Sequence, residues 1–310
     1  MYSINNKINN NQKNKSILSK IMKAKSIYFV LLPSFVLLSI FQLYPAIKAA
    51  QMSLYHWKTS NLFSPIYIGL LNYKYLFQED VFWASYKNLL IFIVWGFFTT
   101  VIVCLSATYL VFKLGNGRWG KLIQRAYVIP MLIPGMVITL YWRFFYDYRN
   151  GILNNVLRSI NLEDLTHIWL GEYQTALPSL LFMGFPWIGG FAFLIFLAGF
   201  QSIDQSLHEA VELDGANGMQ TFMHIDLPLI VPQIKIMIVL GMIEGLQQFS
   251  IQKIMTNGGP SGATSVPGLV LFKTAFSYGN YGLGSAMGVV LFLLILIITI
   301  INNRFIKSRT

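Results

Sequence analysis

Long stretches without any charged residue are the feature that most constrains the fold of this 310-residue chain. Thirty-one uncharged residues separate Glu172 from Asp204, and 30 separate Lys273 from Arg304. Uncharged stretches of 22, 25 and 17 residues begin after three basic residues, Lys25, Lys87 and Arg125. An α-helix needs about 20 apolar residues to cross the hydrocarbon core of a bilayer. These stretches therefore predict helices that span a membrane.

We predict an all-α membrane protein with six transmembrane helices. Backbone polar groups in hydrocarbon must bond within their own segment, so apolar stretches of this length form helices. They are too long and too uniformly apolar for the strands of a membrane barrel. One further segment, 236–252, carries a single internal charge, Glu244. The predicted spans are 27–47, 87–112, 123–145, 175–200, 232–253 and 280–303.

Composition excludes several other classes of protein. The chain is 55% hydrophobic and 11% charged, whereas a soluble domain carries about 25% charged residues. Its single cysteine, Cys104, cannot form a disulfide within the chain. The net charge of +11 raises nucleic acid as a partner, but no basic helix with interleaved aromatic residues is present. We therefore interpret the charge as a signal of membrane orientation and expect no nucleic-acid partner.

Basic residues concentrate on one face of the predicted bundle, which we predict to be cytoplasmic. The first 25 residues hold six lysines, the 113–125 loop holds four basic residues, and the chain beyond 303 holds three. Six spans bring both termini to this side. We expect residues 1–26 to form a disordered, basic cytoplasmic N-terminus, 27–303 to form the transmembrane domain, and 304–310 to form a cytoplasmic tail.

One predicted cytoplasmic loop, 201–230, has no Lys or Arg and holds five acidic residues. Gly215 is typical of a helix C-terminus. Two capping boxes are candidates for the N-terminus, Ser202 with Gln205 and Ser206 with Glu209. The loop therefore predicts a short acidic helix, which is either a dock for a partner or a solvated interfacial helix.

The same loop resembles the EAA loop of binding-protein-dependent ABC importer permeases. That family has E-A-A, three residues, G, nine residues and I-x-L-P. This chain has Glu209-Ala210-Val211, then Gly215, then Ile225-Asp226-Leu227-Pro228 at the same spacing, with Val211 in place of the second alanine.

Two further motifs resemble the carbohydrate branch of that family, the maltose and glycerol-phosphate type permeases. IGLLNYKYLF resembles its G-x-x-N-Y motif through Gly69, Asn72 and Tyr73. TNGGP at 256–260 resembles a loop of the same branch. The resemblance implies the type I ABC importer permease fold over nearly the whole chain after residue 27.

The resemblance also implies partners and a location. It implies a second homologous permease, two copies of a cytoplasmic ATPase, an extracytoplasmic solute-binding protein, and a multi-pass position among the lipids of a bacterial plasma membrane. The chain would be a transport subunit and no enzyme, with no cofactor of its own, while ATP and Mg are used by the ATPase. The implied coupling residues are Glu209, Ala210, Val211, Asp214, Gly215, Ile225, Leu227 and Pro228.

Polar positions of the fifth span predict the transport path. Gly241, Glu244, Gly245 and Gln248 share one helix face, with Gln252 one turn further. An ionisable residue at membrane depth normally faces the bundle interior or a wet cavity. In the resembled permeases this stretch lines the substrate cavity, so we expect hydrogen bonds to the hydroxyl groups of a sugar. An interhelical hydrogen bond to another subunit is the alternative.

Two other spans offer further candidates for the path. In the third span, Met131 and Gly135 lie near Pro130 and Pro134, and such residues can open the backbone where it lines a cavity. In the fourth span, the candidates are the aromatic residues Trp187 and Phe191. Packing or interfacial anchoring is the alternative for both pairs.

The sequence also allows two functions other than ATP-driven import, namely ion-coupled transport and metal-dependent catalysis. A secondary transporter would use Glu244 as a proton site, although no inverted repeat is visible. A membrane-embedded metalloenzyme would use His208, Glu209 and His224. The sequence His208-Glu209-x-x-Glu212 lacks the second imidazole that a zinc protease of the H-E-x-x-H type requires.

Overall fold

Helices form most of the chain that the computed structural model describes, residues 25–115 and 117–305. Within those residues, β1 (Tyr55–His56) and β2 (Ile66–Tyr67) pair as an antiparallel hairpin. The architecture agrees with the predicted all-α class. The predicted disordered N-terminus and the predicted tail lie outside the described residues, apart from 25–26 and 304–305.

The helices, in chain order, are α1 (Lys25–Leu38), α2 (Tyr44–Met52), α3 (Leu71–Gln78), α4 (Asp80–Phe97), α5 (Leu105–Lys113), α6 (Arg118–Val128), α7 (Gly135–Phe145), α8 (Ile152–Ser159), α9 (Tyr173–Phe182), α10 (Gly190–Gln201), α11 (Gln205–Leu213), α12 (Gly218–Thr221), α13 (Leu227–Leu229), α14 (Val231–Gln247), α15 (Ser250–Met255), α16 (Pro267–Phe272) and α17 (Tyr281–Phe305). Turns of π-helix lie at Ser39–Leu43, Phe98–Cys104, Phe222–Asp226 and Lys273–Ser277, and 3-10 turns at Thr59–Asn61, Ile129–Leu132 and Glu163–Leu165.

Three predicted spans are continuous helical segments. A π turn joins α1 to α2, another joins α4 to α5, and α17 runs without interruption. The segments Ser26–Met52, Asp80–Lys113 and Tyr281–Ile301 are long and apolar enough to cross a bilayer. The predictions at 27–47, 87–112 and 280–303 are confirmed as helices, and the second begins seven residues earlier than expected.

The other three predicted spans are bent or interrupted helices. The third bends by 97° between Leu132 and Gly135, because Pro134 cannot donate to the helix and disfavours helical geometry at Ile133. The fourth stops at Phe182 and restarts at Gly190, and the fifth breaks after Gln247. Counting each bent pair as one span gives up to six in the described residues; the pairs are Arg118–Leu132 with Gly135–Phe145, Gly190–Gln201 with Gln205–Leu213, and Gly218–Leu229 with Val231–Gln247.

Side chains satisfy the backbone at the break between α9 and α10. Trp95 donates its indole N–H to the carbonyl of Leu181 at 2.7 Å, and Trp187 donates to the same oxygen at 3.2 Å. A carbonyl freed at a helix end needs such a partner inside a membrane protein. The two tryptophans therefore stabilise an interruption that periodicity alone does not reveal.

The G-x-x-N-Y motif fastens the β hairpin to the end of α2. Asn72 is 5% exposed and donates to the carbonyls of Ser53 at 2.8 Å and Tyr55 at 2.9 Å. The hydroxyl groups of Tyr73 and Ser53 lie 2.7 Å apart. Gly69 adopts a φ of +58°, which favours glycine at this turn. The motif is a structural joint in this chain.

A buried aromatic row on α10 supports the loop that follows it. Phe193, Phe196 and Phe200 have no exposed surface and pack in one cluster with Cys104 and Leu105. Close packing of this kind transmits displacement, since protein interiors are as dense as organic crystals. The 201–230 loop is therefore attached to a rigid face of the bundle.

Candidate functional site

The short acidic helix predicted in the 201–230 loop is present as α11. Its N-cap is Asp204, whose carboxylate accepts from the Ser206 backbone N–H at 3.0 Å. That N–H holds the pKa of the Asp204 carboxyl below its ordinary value. Neither predicted capping box forms, because Asp204 is the N-cap and Ser206 lies inside α11. Ser202 ends α10, and its hydroxyl donates to the carbonyl of Gly199 at 2.7 Å.

Gly215 ends α11 as predicted. Its φ is +76°, a conformation that side chains with a Cβ rarely adopt. The Gly215 N–H donates to the carbonyl of Glu212 at 3.1 Å, and the Ala216 N–H donates to that of Val211 at 3.2 Å. These two bonds make a Schellman motif. Asn217 and Gln220 then form a capping box at the start of α12, a pair that was not among the predicted capping boxes.

The residues of the EAA motif on α11 are mostly exposed, and those beyond the turn at Gly215 are mostly half-buried. Glu209, Ala210 and Asp214 are exposed, and Val211 is half-buried. Beyond the turn, Ile225 and Leu227 are half-buried, while Pro228 is exposed. Bare apolar side chains flank the acidic residues, namely Leu207 (41% exposed), Leu213 (90%) and Met219 (69%). An exposed apolar surface beside charges is typical of a protein interaction site.

The four polar and small positions of the fifth span line one cavity. It lies between α4 and α14 and has a volume of about 260 Å³. Gly241, Glu244, Gly245 and Gln248 form one wall. The opposite wall is made by α4 and the π turn after it, through Phe92, Ile93, Gly96, Phe97 and Thr100. These four residues therefore face one cavity, as their spacing predicts, and their part in a transport path stays a prediction.

A second cavity of about 220 Å³ adjoins the first and shares Gln248 with it. Trp95 and Trp187 line it with ring centroids 5.3 Å apart at 89°. Because both indole N–H groups are bonded to Leu181, the rings offer apolar surface to the cavity. Gln252 also lines it, and its Oε1 has no hydrogen-bond partner among the described residues.

Gln248 combines two roles at the junction of the cavities. Its Oε1 accepts the Ser250 backbone N–H at 2.9 Å, which caps α15 where the fifth span breaks. This bond fixes the side-chain carbonyl of Gln248, and the amide NH₂ group of the same side chain is held in place with it. Trp95 and Gln252 were outside the set of predicted path residues, although Gln252 continues the predicted face.

Met131, Gly135 and Phe191 line neither of these two cavities. Met131 and Phe191 are 47% and 52% exposed, and a Cβ at Gly135 would meet no atom within 4 Å. All three lie beside the breaks of the third and fourth spans, where helices α7 and α10 begin. Of the aromatic candidates, Trp187 lines a cavity.

The residues of the metalloenzyme alternative have other partners. His208 Nε2 lies 2.7 Å from Asp226 Oδ1, and His224 Nδ1 lies 3.0 Å from the carbonyl of Gln220. The described residues hold no group of three or more His, Cys, Asp or Glu side chains that could bind a metal ion. The geometry favours a structural use of both histidines.

Known proteins resemble this chain over most of its length. The probable ABC transporter permease protein YurN of Bacillus subtilis is 31% identical over 91% of this chain and 96% of its own. The trehalose/maltose transport system permease protein MalF of Thermococcus litoralis is 29% identical over 94% and 96%. A crystal structure of a bacterial ABC transporter that imports alginate contains a chain with the same fold, at a TM-score of 0.79, 23% identity, and coverage of 94% and 100%.

The family described as the binding-protein-dependent transport system inner membrane component matches residues 110–310. This match includes the complete 201–230 loop and the fifth and sixth predicted spans. The exposed acidic helix, the membrane-length helices and the two cavities fit a subunit that conducts a solute and contacts other proteins. The chain belongs to this family of inner membrane components and is a membrane-embedded permease subunit of an ABC transporter.

Proposed function

We propose that this chain is one half of the transmembrane dimer of an ABC importer for a neutral carbohydrate. A second homologous permease completes the dimer, two cytoplasmic ATPase subunits bind and use ATP and Mg, and an extracytoplasmic binding protein delivers the solute. Both termini lie in the cytoplasm of a bacterial cell, with 27–303 as the transmembrane domain. The observation that carries the proposal is that one chain holds both an exposed helix with the EAA motif, α11, and a cavity lined by polar and aromatic residues.

The cavity chemistry supports a polyhydroxylated solute. Glu244 and Gln248 offer a carboxylate and an amide as hydrogen-bond partners for hydroxyl groups. Trp95 and Trp187 offer the flat apolar surface that suits the face of a pyranose ring. The relative named for trehalose and maltose transport supports the same solute class. The carboxylate of Glu244 disfavours an anionic solute through charge repulsion.

The exposed half of the EAA motif supports coupling to the ATPase. Glu209 carries a charge without an ion-pair partner among the described residues, and Leu213 is almost fully exposed. An ATPase cleft with a basic group and apolar walls would match both. ATP binding would close the ATPase dimer, draw the two docked helices together and turn the cavity outward to receive the solute.

Glu244→Gln is expected to weaken uptake of the neutral sugar and to admit sugar acids. A hydrogen bond to a charged group contributes about 1.5–3 kcal/mol, so the concentration for half-maximal uptake rises about tenfold. Loss of the negative charge raises the relative uptake of sugar acids. The measurement is competitive uptake by vesicles that carry the whole importer.

Lys235→Gln is the matched control, because it removes one charge from α14 outside both cavities. It should leave affinity and selectivity as in the unmodified importer. Unchanged affinity and specificity in Glu244→Gln would show that Glu244 does not contact the solute. An interhelical role would then explain its position.

A further inference from the structure

A buried carboxylate joins three segments beneath the EAA helix. Asp226 has no exposed surface. Its Oδ1 lies 2.7 Å from His208 Nε2 on α11, and its Oδ2 lies 3.9 Å from Lys113 Nζ at the end of α5. Asp226 itself ends the π turn that leads through α13 into α14. One side chain therefore touches the coupling helix, the end of a membrane-length helix and the entry to the fifth span.

One basic side chain and two polar rings surround the buried Asp226 carboxylate. Transfer of an ionised group from water into a protein interior is costly unless partners compensate it. Lys113 and Tyr109 face it from α5, and His208 faces it from α11. Tyr109 also packs on Phe222 with ring centroids 4.4 Å apart. The loop is held to α5 by polar and apolar contacts together.

A buried carboxylate that loses a partner is left uncompensated, which is costly. The arrangement that keeps His208 and Lys113 beside Asp226 is therefore strongly preferred. His208, on α11, immediately precedes Glu209 in the chain. A displacement of Glu209 by a bound protein must therefore move His208. It must then either break the 2.7 Å contact or move Asp226 with it.

We infer that Asp226, His208 and Lys113 form a rigid joint that transmits motion of the docked α11 to α5 and α14. Asp226 and His208 act as positioning residues, which touch neither solute nor nucleotide. The inference rests on the proposed coupling of α11 to an ATPase. It adds the route by which displacement of α11 reaches the helix that lines the first cavity.

The joint can be tested by distances between spin labels in the complete importer. Labels are placed by Glu212→Cys on α11 and Leu240→Cys on α14, with Cys104→Ser as background. The complex contains the partner permease, the ATPase subunits and the binding protein. The label distance is measured with and without ATP, and maltose and trehalose uptake per ATP hydrolysed is measured in parallel.

With the joint intact, the distance between the two labels is expected to stay the same when ATP is added. In His208→Ala and Asp226→Asn, the distance should shift or split on addition of ATP, and uptake per ATP should fall about tenfold. His208→Gln keeps a hydrogen-bonding group, so both its label distance and its uptake per ATP should be close to those of the parent. His224→Ala, on the same loop with its ring bonded to its own helix, should behave as the parent.

A label distance that changes with ATP in the parent complex would overturn the joint. The joint would also be overturned if His208→Ala and Asp226→Asn had the same label distance and the same uptake per ATP as the parent. If Asp226→Asn does not assemble, the comparison of His208→Ala with His208→Gln decides, since His208 is partly exposed. A parent complex that imports the sugars without hydrolysing ATP would contradict the proposed function, and with it the inference.

Discussion

Glu209→Arg is expected to reduce ATP-driven uptake strongly while the chain still enters the membrane. Glu209 is exposed on α11 and has no ion pair with any described residue, so its charge is available to a bound protein. Reversal of the charge places two cations together at the proposed ATPase contact, which costs several kcal/mol. Uptake should fall roughly 100-fold. Co-purification of the ATPase with the permease, together with vesicle uptake, measures the effect.

Glu212→Arg is the control for this change. Glu212 lies on the same helix, three residues further along, and is also exposed. It carries the same charge but stands at a position that the EAA motif leaves unspecified. Equal losses in both variants would indicate a general electrostatic effect. Normal ATPase recovery and normal uptake in Glu209→Arg would show that α11 does not dock through this residue.

Gly215→Val is expected to reduce uptake about tenfold by disturbing the end of α11. A Cβ at this position would meet no atom within 4 Å, so the cost comes from the φ of +76° alone. Left-handed backbone costs a residue with a Cβ roughly 1–2 kcal/mol, and a β-branched side chain is the least tolerant. Relief of that strain breaks the two bonds of the Schellman motif and redirects the helix end. ATP-dependent uptake and ATPase recovery are the measurements.

Gly218→Val provides a matched comparison. A Cβ at Gly218 also meets no atom within 4 Å, and its φ lies outside the left-handed region. The two positions therefore offer the same room for a side chain and differ in backbone φ. Similar uptake in the two variants would contradict a role for the turn at Gly215 in coupling.

The sequence predicted those features that depend on local pattern. Thirty uncharged residues before Arg304 are sufficient to define α17, because hydrocarbon imposes a helix on such a stretch. Gly215 was identifiable because a left-handed helix end selects glycine. Gly241, Glu244 and Gly245 share a cavity wall because residues at this spacing lie on one helix face.

Features that depend on distant residues were not predictable in this way. The break between α9 and α10 is stabilised by Trp95, which lies 86 positions from the Leu181 carbonyl that it binds. Phe191, at the start of α10 beyond this break, lines neither of the two cavities. His208 and Asp226 are 18 positions apart and meet when the loop folds back on α5. Neither residue indicates from the sequence that the other is its partner.

Reconstituted uptake tests the central claim most directly. Vesicles would contain this permease, its partner permease and the ATPase, with the binding protein and a labelled disaccharide outside. We predict that uptake requires ATP at the ATPase face and persists after the proton gradient is collapsed. Uptake that continues without ATP and stops when the proton gradient is collapsed would contradict the account and would favour an ion-coupled transporter with Glu244 as its proton site.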